Sequence, residues 1–162
     1  MVKNIAFIDG QNLIKSLPWN IDYKRFKIYL KDKYKIDEVY YFLGFVDGQN
    51  KLYENLQKAG FILIFNSKGE NLKSNKKGNI DVNLVFEAMK RYAEGGFDKF
   101  LLVSGDGDFF NMVDFFIEKD KFIKILFPNR KNYSSLYNSI GNKYFSFING
   151  LKDRLQYKKK SG

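Results

Sequence analysis

The chain contains no cysteine and no histidine, and a single tryptophan. The first two absences remove whole classes of chemistry. Without cysteine there is no disulfide, no thiolate nucleophile and no zinc–thiolate centre. Without histidine there is no imidazole base, no Ser-His-Asp triad and no imidazole metal ligand. Acid–base or metal chemistry must therefore rest on Asp, Glu, Lys, Tyr or a bound ion. Long apolar runs are missing too. A membrane-spanning helix needs about 20 apolar residues. The opening MVKNIAFIDG has only a short apolar run before an acid, too short for a signal-peptide core of about 7–15 residues. The expectation is a soluble cytoplasmic protein, and the lack of cysteine agrees with a reducing compartment.

The 162 residues, 44% of them hydrophobic, suffice for one domain with a sizeable core. Lys and Arg number 28 against 18 Asp and Glu, a formal charge of +10. Such an excess fits a polyanionic partner, nucleic acid above all. A/T-rich codons would also enrich Lys, Asn, Phe, Tyr and Ile, so composition leaves both readings open. The aromatic content of 18% is equally double-edged: stacking platforms for bases, or a Phe-rich core.

Apolar, β-branched and aromatic runs at residues 4–8, 38–45, 61–66, 99–104 and 121–127 read as strands. Between them lie stretches with helical spacing. Val82, Val85, Phe86, Met89 and Ala93 recur at three- and four-residue steps, as do Phe109, Met112, Val113, Phe116 and Ile117. Residues 22–34 and 48–59 are weaker helix candidates. Near-continuous apolar strands alternating with helices predict a parallel sheet covered on both faces, a three-layer α/β/α sandwich. Residues 1–150 form the expected domain. Residues 151–162, ending QYKKKSG, read as a basic, disordered tail. The polar stretch 67–79 reads as a long loop.

The acids are not scattered evenly over this pattern. Asp9 directly follows the first strand, and Asp106 and Asp108 directly follow the fourth. Ligands of open parallel sheets bind at the carboxyl ends of the strands, so these three converge on one rim. Asp81 opens the third helix and adds a fourth if that helix starts above the same rim. Two carboxylates ~5 Å apart repel by roughly 3 kcal/mol at an effective dielectric near 20. Four would not all stay ionised without a counter-ion. With oxygen ligands only, the ion is hard: Mg²⁺, or Mn²⁺ in its place. The plainer alternatives are N-caps for Asp81 and Asp108 and a turn role for Asp106, between two glycines. Asp9, at the end of an apolar strand, reads as a poor cap.

FIDGQNL at 7–13, KKGNIDVNLVFEAM at 76–89 and LLVSGDGDF at 101–109 resemble, in order and spacing, the motifs of the NYN domain. This is a PIN-like nuclease fold, and the bacterial LabA-like branch is the nearest likeness. The resemblance covers roughly residues 1–150. It implies a PIN-like sandwich, a divalent-metal site and, in active members, RNA cleavage. The family's acidic positions fall on Asp9, Asp81, Asp106 and Asp108, and its polar lining positions on Asn12 and Ser104. Many relatives carry an acid near the position where this chain has Asn142.

The expected activity is metal-dependent ribonucleolytic hydrolysis of phosphodiester bonds. Asp9, Asp106 and Asp108 would hold one ion, or two with substrate phosphate. Asp81 would ligate the metal or orient water. Asn12 would hold a carboxylate or a phosphate oxygen; Ser104 would do the same or close the turn. Lys73, Lys76 and Lys77, with Lys158, Lys159 and Lys160 in the tail, are candidate phosphate contacts or solvated surface. Trp19 is a base-stacking candidate, or a core or lid residue. RNA is the expected partner, with DNA open, and the chain is a monomer or a homodimer. The rival readings are a non-catalytic RNA-binding regulator on the same fold and an aspartyl-nucleophile phosphatase. The latter wants an acid two residues after Asp9, where Gln11 stands. No glycine-rich dinucleotide motif follows the first strand.

Overall fold

A computed structural model of the chain describes residues 3–44, 48–65 and 77–159, with residues 77–79 described by backbone alone. Six strands are present: β1 (Asn4–Asp9), β2 (Ile36–Leu43), β3 (Ile62–Phe65), β4 (Lys99–Val103), β5 (Phe122–Phe127) and β6 (Phe145–Phe147). All pair in parallel, in the order β3-β2-β1-β4-β5-β6. The helices are α1 (Gly10–Ser16), α2 (Tyr23–Tyr34), α3 (Asn50–Lys58), α4 (Lys77–Ala93), α5 (Phe110–Glu118) and α6 (Lys152–Leu155).

The period-two geometry of a strand divides each apolar run between two cores. In β1, Ala6 and Ile8 join Val39, Tyr41, Leu101 and Val103 on one face, covered by Leu13, Phe26, Leu30 and Leu56 from α1, α2 and α3. Ile5 and Phe7 join Phe42, Phe100, Leu102 and Ile125 on the other, covered by Leu84 and Ala88 of α4 and by Met112, Val113 and Phe116 of α5. Helices therefore cover both faces, and the expected three-layer sandwich is the observed one. Most of the phenylalanine sits in these cores; Phe86 is an exception, at 59% exposure.

Several elements differ from expectation. α1 follows β1 without a linking residue; its seven residues are too few for a periodic signal. α4 starts at Lys77, so 77–79 belong to helix rather than loop, and residues 66–76 lie outside the described ones. β6, three residues long, is hidden in an aromatic-rich stretch. There Phe127 packs on Tyr133, Phe145 and Phe147. Ordered backbone also continues past residue 150. α6 is followed by a bridge between Ile21 and Gln156, and Tyr157 donates its N–H to Asn20 O at 2.8 Å. The expected tail is thus docked as far as Tyr157, because its backbone pairs with the segment ahead of α2. Lys158 and Lys159 follow, exposed, and 160–162 lie outside the described residues.

Candidate metal centre

The strand order reverses direction between β1 and β4, and a crevice opens outside the carboxyl ends of strands at such a point. Asp9 ends β1, and Ser104, Gly105 and Asp106 follow β4. Asp9 is 2% exposed. Its Oδ1 accepts the Asn12 N–H at 3.2 Å and so caps α1, while Oδ2 accepts the Ser104 hydroxyl at 3.0 Å. The expectation that Asp9 is a poor cap is thereby corrected: a helix begins at the next residue. That abrupt turn needs Gly10, since a Cβ there would lie 2.4 Å from Tyr41 Cε1 and 2.8 Å from Phe42 O.

Ser104 is fully buried and works in both directions. Besides donating to Asp9, its Oγ accepts the Asp106 N–H at 3.1 Å. Of the two roles open to Ser104, it both holds a carboxylate and closes the turn. Asn12 Oδ1 accepts the Gly105 N–H at 2.8 Å, tying α1 to the loop after β4. Asp106 Oδ1 accepts the Asp108 N–H at 2.9 Å and caps the 3-10 turn Gly107–Phe109. Capping there falls to Asp106, not Asp108. Asp81 is no cap either: it lies inside α4, on a turn anchored in the core by Ile80 and Leu84.

One carboxylate oxygen each from Asp9, Asp81 and Asp106 lies within 4.8 Å of the other two. Asp108 stands outside this trio, exposed, with its carboxylate near enough to Asp81 to act on its ionisation. Burial, then the charges of Asp9 and Asp106 and the contact with Asp108, push the Asp81 carboxyl up to about 8. Asp81 Oδ2 is buried without a hydrogen-bond partner among the described residues. Crowded carboxylates with an orphaned buried oxygen fit a hard divalent cation: the donor set is all oxygen, and the cation removes the repulsion.

Tyr137 was not foreseen. Fully buried, it donates its hydroxyl to Asp106 O at 2.5 Å, and burial followed by the aspartate charges raises its pKa. Its only sequence signal was the aromatic content of residues 133–147. Lys15 was missed as well. With Gln11, Asn12, Asp106, Asn132 and Tyr133 it lines a hollow of about 310 Å³ beside the aspartates. Lys15 is the one lysine of that lining. Of the expected phosphate contacts, Lys73 and Lys76 lie outside the described residues, and Lys77 is described only as the first backbone position of α4. Trp19 is half-buried against the α1–α2–α3 core, on the other side of α1 from the hollow.

The NYN domain family model matches residues 4–146. This chain belongs to the NYN domain family. NYN domains are part of the PIN-like nuclease superfamily, and the aspartate cluster at the sheet edge supports a nuclease-type function here. A crystal structure of a protein of unknown function from Vibrio parahaemolyticus RIMD 2210633 is similar to this NYN protein in fold. Its TM-score is 0.75 at 21% identity, over 95% of this chain and 96% of that one. No curated protein matches the sequence. No helix among the described residues is long and apolar enough to cross a membrane.

Proposed function

We propose that this NYN protein is a Mg²⁺- or Mn²⁺-dependent ribonuclease that hydrolyses phosphodiester bonds at the aspartate site. The observation that carries the reading is the convergence of Asp9, Asp81 and Asp106 from β1, α4 and the loop after β4. A protein that only held RNA would gain nothing from carboxylates that repel phosphate.

Asp9, Asp81 and Asp106 would hold the ion. When bound, it supplies Lewis-acid chemistry, acidifying water and offsetting negative charge on a phosphoryl group. The remaining work belongs to side chains. Ser104 holds Asp9 and the Asp106 backbone in register through one hydroxyl. Asn12 fixes the loop that carries Asp106. Asp108, exposed beside Asp81, would orient water at the mouth of the site. Lys15 presents positive charge in the adjacent hollow, and Lys73, Lys76 and Lys77 precede Asp81 in sequence. These cations would hold the phosphate chain.

The test is incubation of a mixed RNA with purified protein in Mg²⁺, in Mn²⁺ and in EDTA, beside Asp9→Asn and Asp106→Asn. Cleavage by wild type in either metal, abolished in EDTA and in both variants, is the expected result. Equal cleavage by wild type and variants would mark a contaminant and end the nuclease reading; cleavage indifferent to EDTA would end the metal requirement.

A further inference from the structure

On the far side of α1 from the hollow lies a larger groove of about 770 Å³, lined from four parts of the chain. Leu13 and Ile14 of α1 and Leu17, which follows it, form an apolar floor. Trp19, ahead of α2, and Tyr23, its first residue, form one aromatic wall; both are half-buried against the core, and the Tyr23 hydroxyl pairs with that of Tyr41 at 2.8 Å. Lys51, Asn55 and Lys58 of α3 form a basic and amide-bearing wall, with Lys24 at the start of α2. Tyr157 closes the end at 58% exposure. Its position is fixed by backbone: Tyr157 N–H donates to Asn20 O at 2.8 Å and Asp22 N–H to Leu155 O at 2.7 Å.

The charge in this groove is predominantly positive: Lys24, Lys51 and Lys58 stand against one acid. Asp22 is its single acid, and its carboxylate is already engaged, accepting the Arg25 N–H at 3.1 Å and facing Arg25 Nε at 3.6 Å. Lys24, Lys51 and Lys58 are exposed and form no ion pair among the described residues. Lys158 and Lys159 follow directly after Tyr157, also exposed. Only the crest of α1, with exposed Gln11, Ile14 and Lys15, separates the groove from the aspartate site. That is the width of one helix, about 10–12 Å.

We infer that this groove is a second binding site, taking bases of a single-stranded nucleic acid whose backbone crosses α1 from the aspartates. Aromatic rings accept any base face, lysines track the phosphates, and amides meet base edges; this combination suits single strands. A folded duplex offers no free base faces. The inference rests on the nuclease reading for the identity of the strand as RNA and for its path past the aspartates.

Trp19 is the only tryptophan, so its emission reports on the groove alone. The full-length protein in EDTA is titrated with a ten-nucleotide single-stranded RNA, while anisotropy of a labelled copy follows binding. The expected result is saturable quenching of Trp19 in step with binding. Lys51→Glu combined with Lys58→Glu, both on exposed positions of α3, should weaken binding about tenfold and flatten the log–log salt slope by about 1.4. Tyr157→Ala should weaken it several-fold. A DNA strand of the same length that quenches equally supports the site, since stacking does not read the sugar. Unchanged emission at saturating RNA, unchanged affinity in the double lysine variant, or no binding at all overturns it. A mononucleotide that quenches as tightly as the strand overturns the strand assignment. Metal-dependent cleavage with silent Trp19 would sink the groove and leave the nuclease; quenching without any cleavage would do the reverse.

Discussion

Ser104 and Asp81 show how single side chains hold a crowded anionic site together. The hydroxyl of fully buried Ser104 donates to Asp9 and accepts from Asp106. Ser104→Ala leaves a carboxylate oxygen and an N–H short of one partner each, so a loss of about 1–3 kcal/mol is expected by denaturant titration. Mg²⁺ affinity, read by calorimetry, should fall with it; a variant as stable as wild type would mean that water replaces the hydroxyl. Asp81 makes a prediction in pH. Its folded value of about 8 lies above the ordinary carboxylate range, so the folded state holds the proton more tightly than the unfolded chain does. That contribution is complete below about pH 4 and lost as pH rises towards 8. In EDTA the melting temperature of wild type should therefore fall from pH 5 to pH 8, and Asp81→Asn should flatten the fall. Mg²⁺ at pH 8 should restore wild type but not the variant; a metal-free wild type equally stable at both pH values would refute the assignment. Asp9, Asp106 and Asp108 were legible in the sequence because acids at the ends of apolar strands are out of place, and Asp81 because it opens a helical stretch that could reach the same rim. Which three converge was not, since it depends on where α4 begins, inside a polar run without periodic signal. Tyr137, one aromatic among many, gave no signal of its contact with Asp106.

One element that positions the site, α1, is hidden in the sequence. The longer strands announce themselves as near-continuous apolar runs, because both their faces are buried, and α4 and α5 through apolar residues at three- and four-residue steps; α2 and α3 give a weaker signal of the same kind. α1 and β6 are too short to complete a period, and the C-terminal segment pairs through backbone alone, which side-chain patterns do not report. Yet α1 matters most to the site, because its start fixes Asp9. Its entry depends on Gly10, where a Cβ would meet not only the Tyr41 ring but the Phe42 carbonyl at 2.8 Å. A ring can swing aside; a strand carbonyl in the sheet cannot. Gly10→Ala should cost about 1–3 kcal/mol, as overpacking does, and should displace Asp9 from the trio. The expected readout is a lower melting temperature with a smaller Mg²⁺-induced rise. A variant that keeps the full rise would show that α1 can shift without moving the carboxylate.

Over the whole molecule, the charge of +10 and the aspartate trio act on a nucleic acid in opposite senses. Lysines around the hollow and the groove attract the phosphate chain, and each contact adds to the salt dependence of binding. The trio repels it at the one point where cleavage requires closest approach, unless a cation intervenes. The two terms separate in a binding experiment. In EDTA at pH 8 and low salt, Asp9→Asn and Asp106→Asn should bind a single-stranded RNA several-fold more tightly than wild type, because each removes a negative charge from the strand's path. Added Mg²⁺ should tighten wild type and reverse the ranking, since only the intact trio gathers the cation that bridges protein and phosphate. The advantage of the variants in EDTA should shrink as salt rises, with the Debye length falling from about 30 Å at 0.01 M to 8 Å at 0.15 M. Anisotropy of a labelled strand measures all three comparisons. Equal affinities of wild type and variants in EDTA would place the bound strand away from the aspartates, and the nuclease reading would then lose its substrate path.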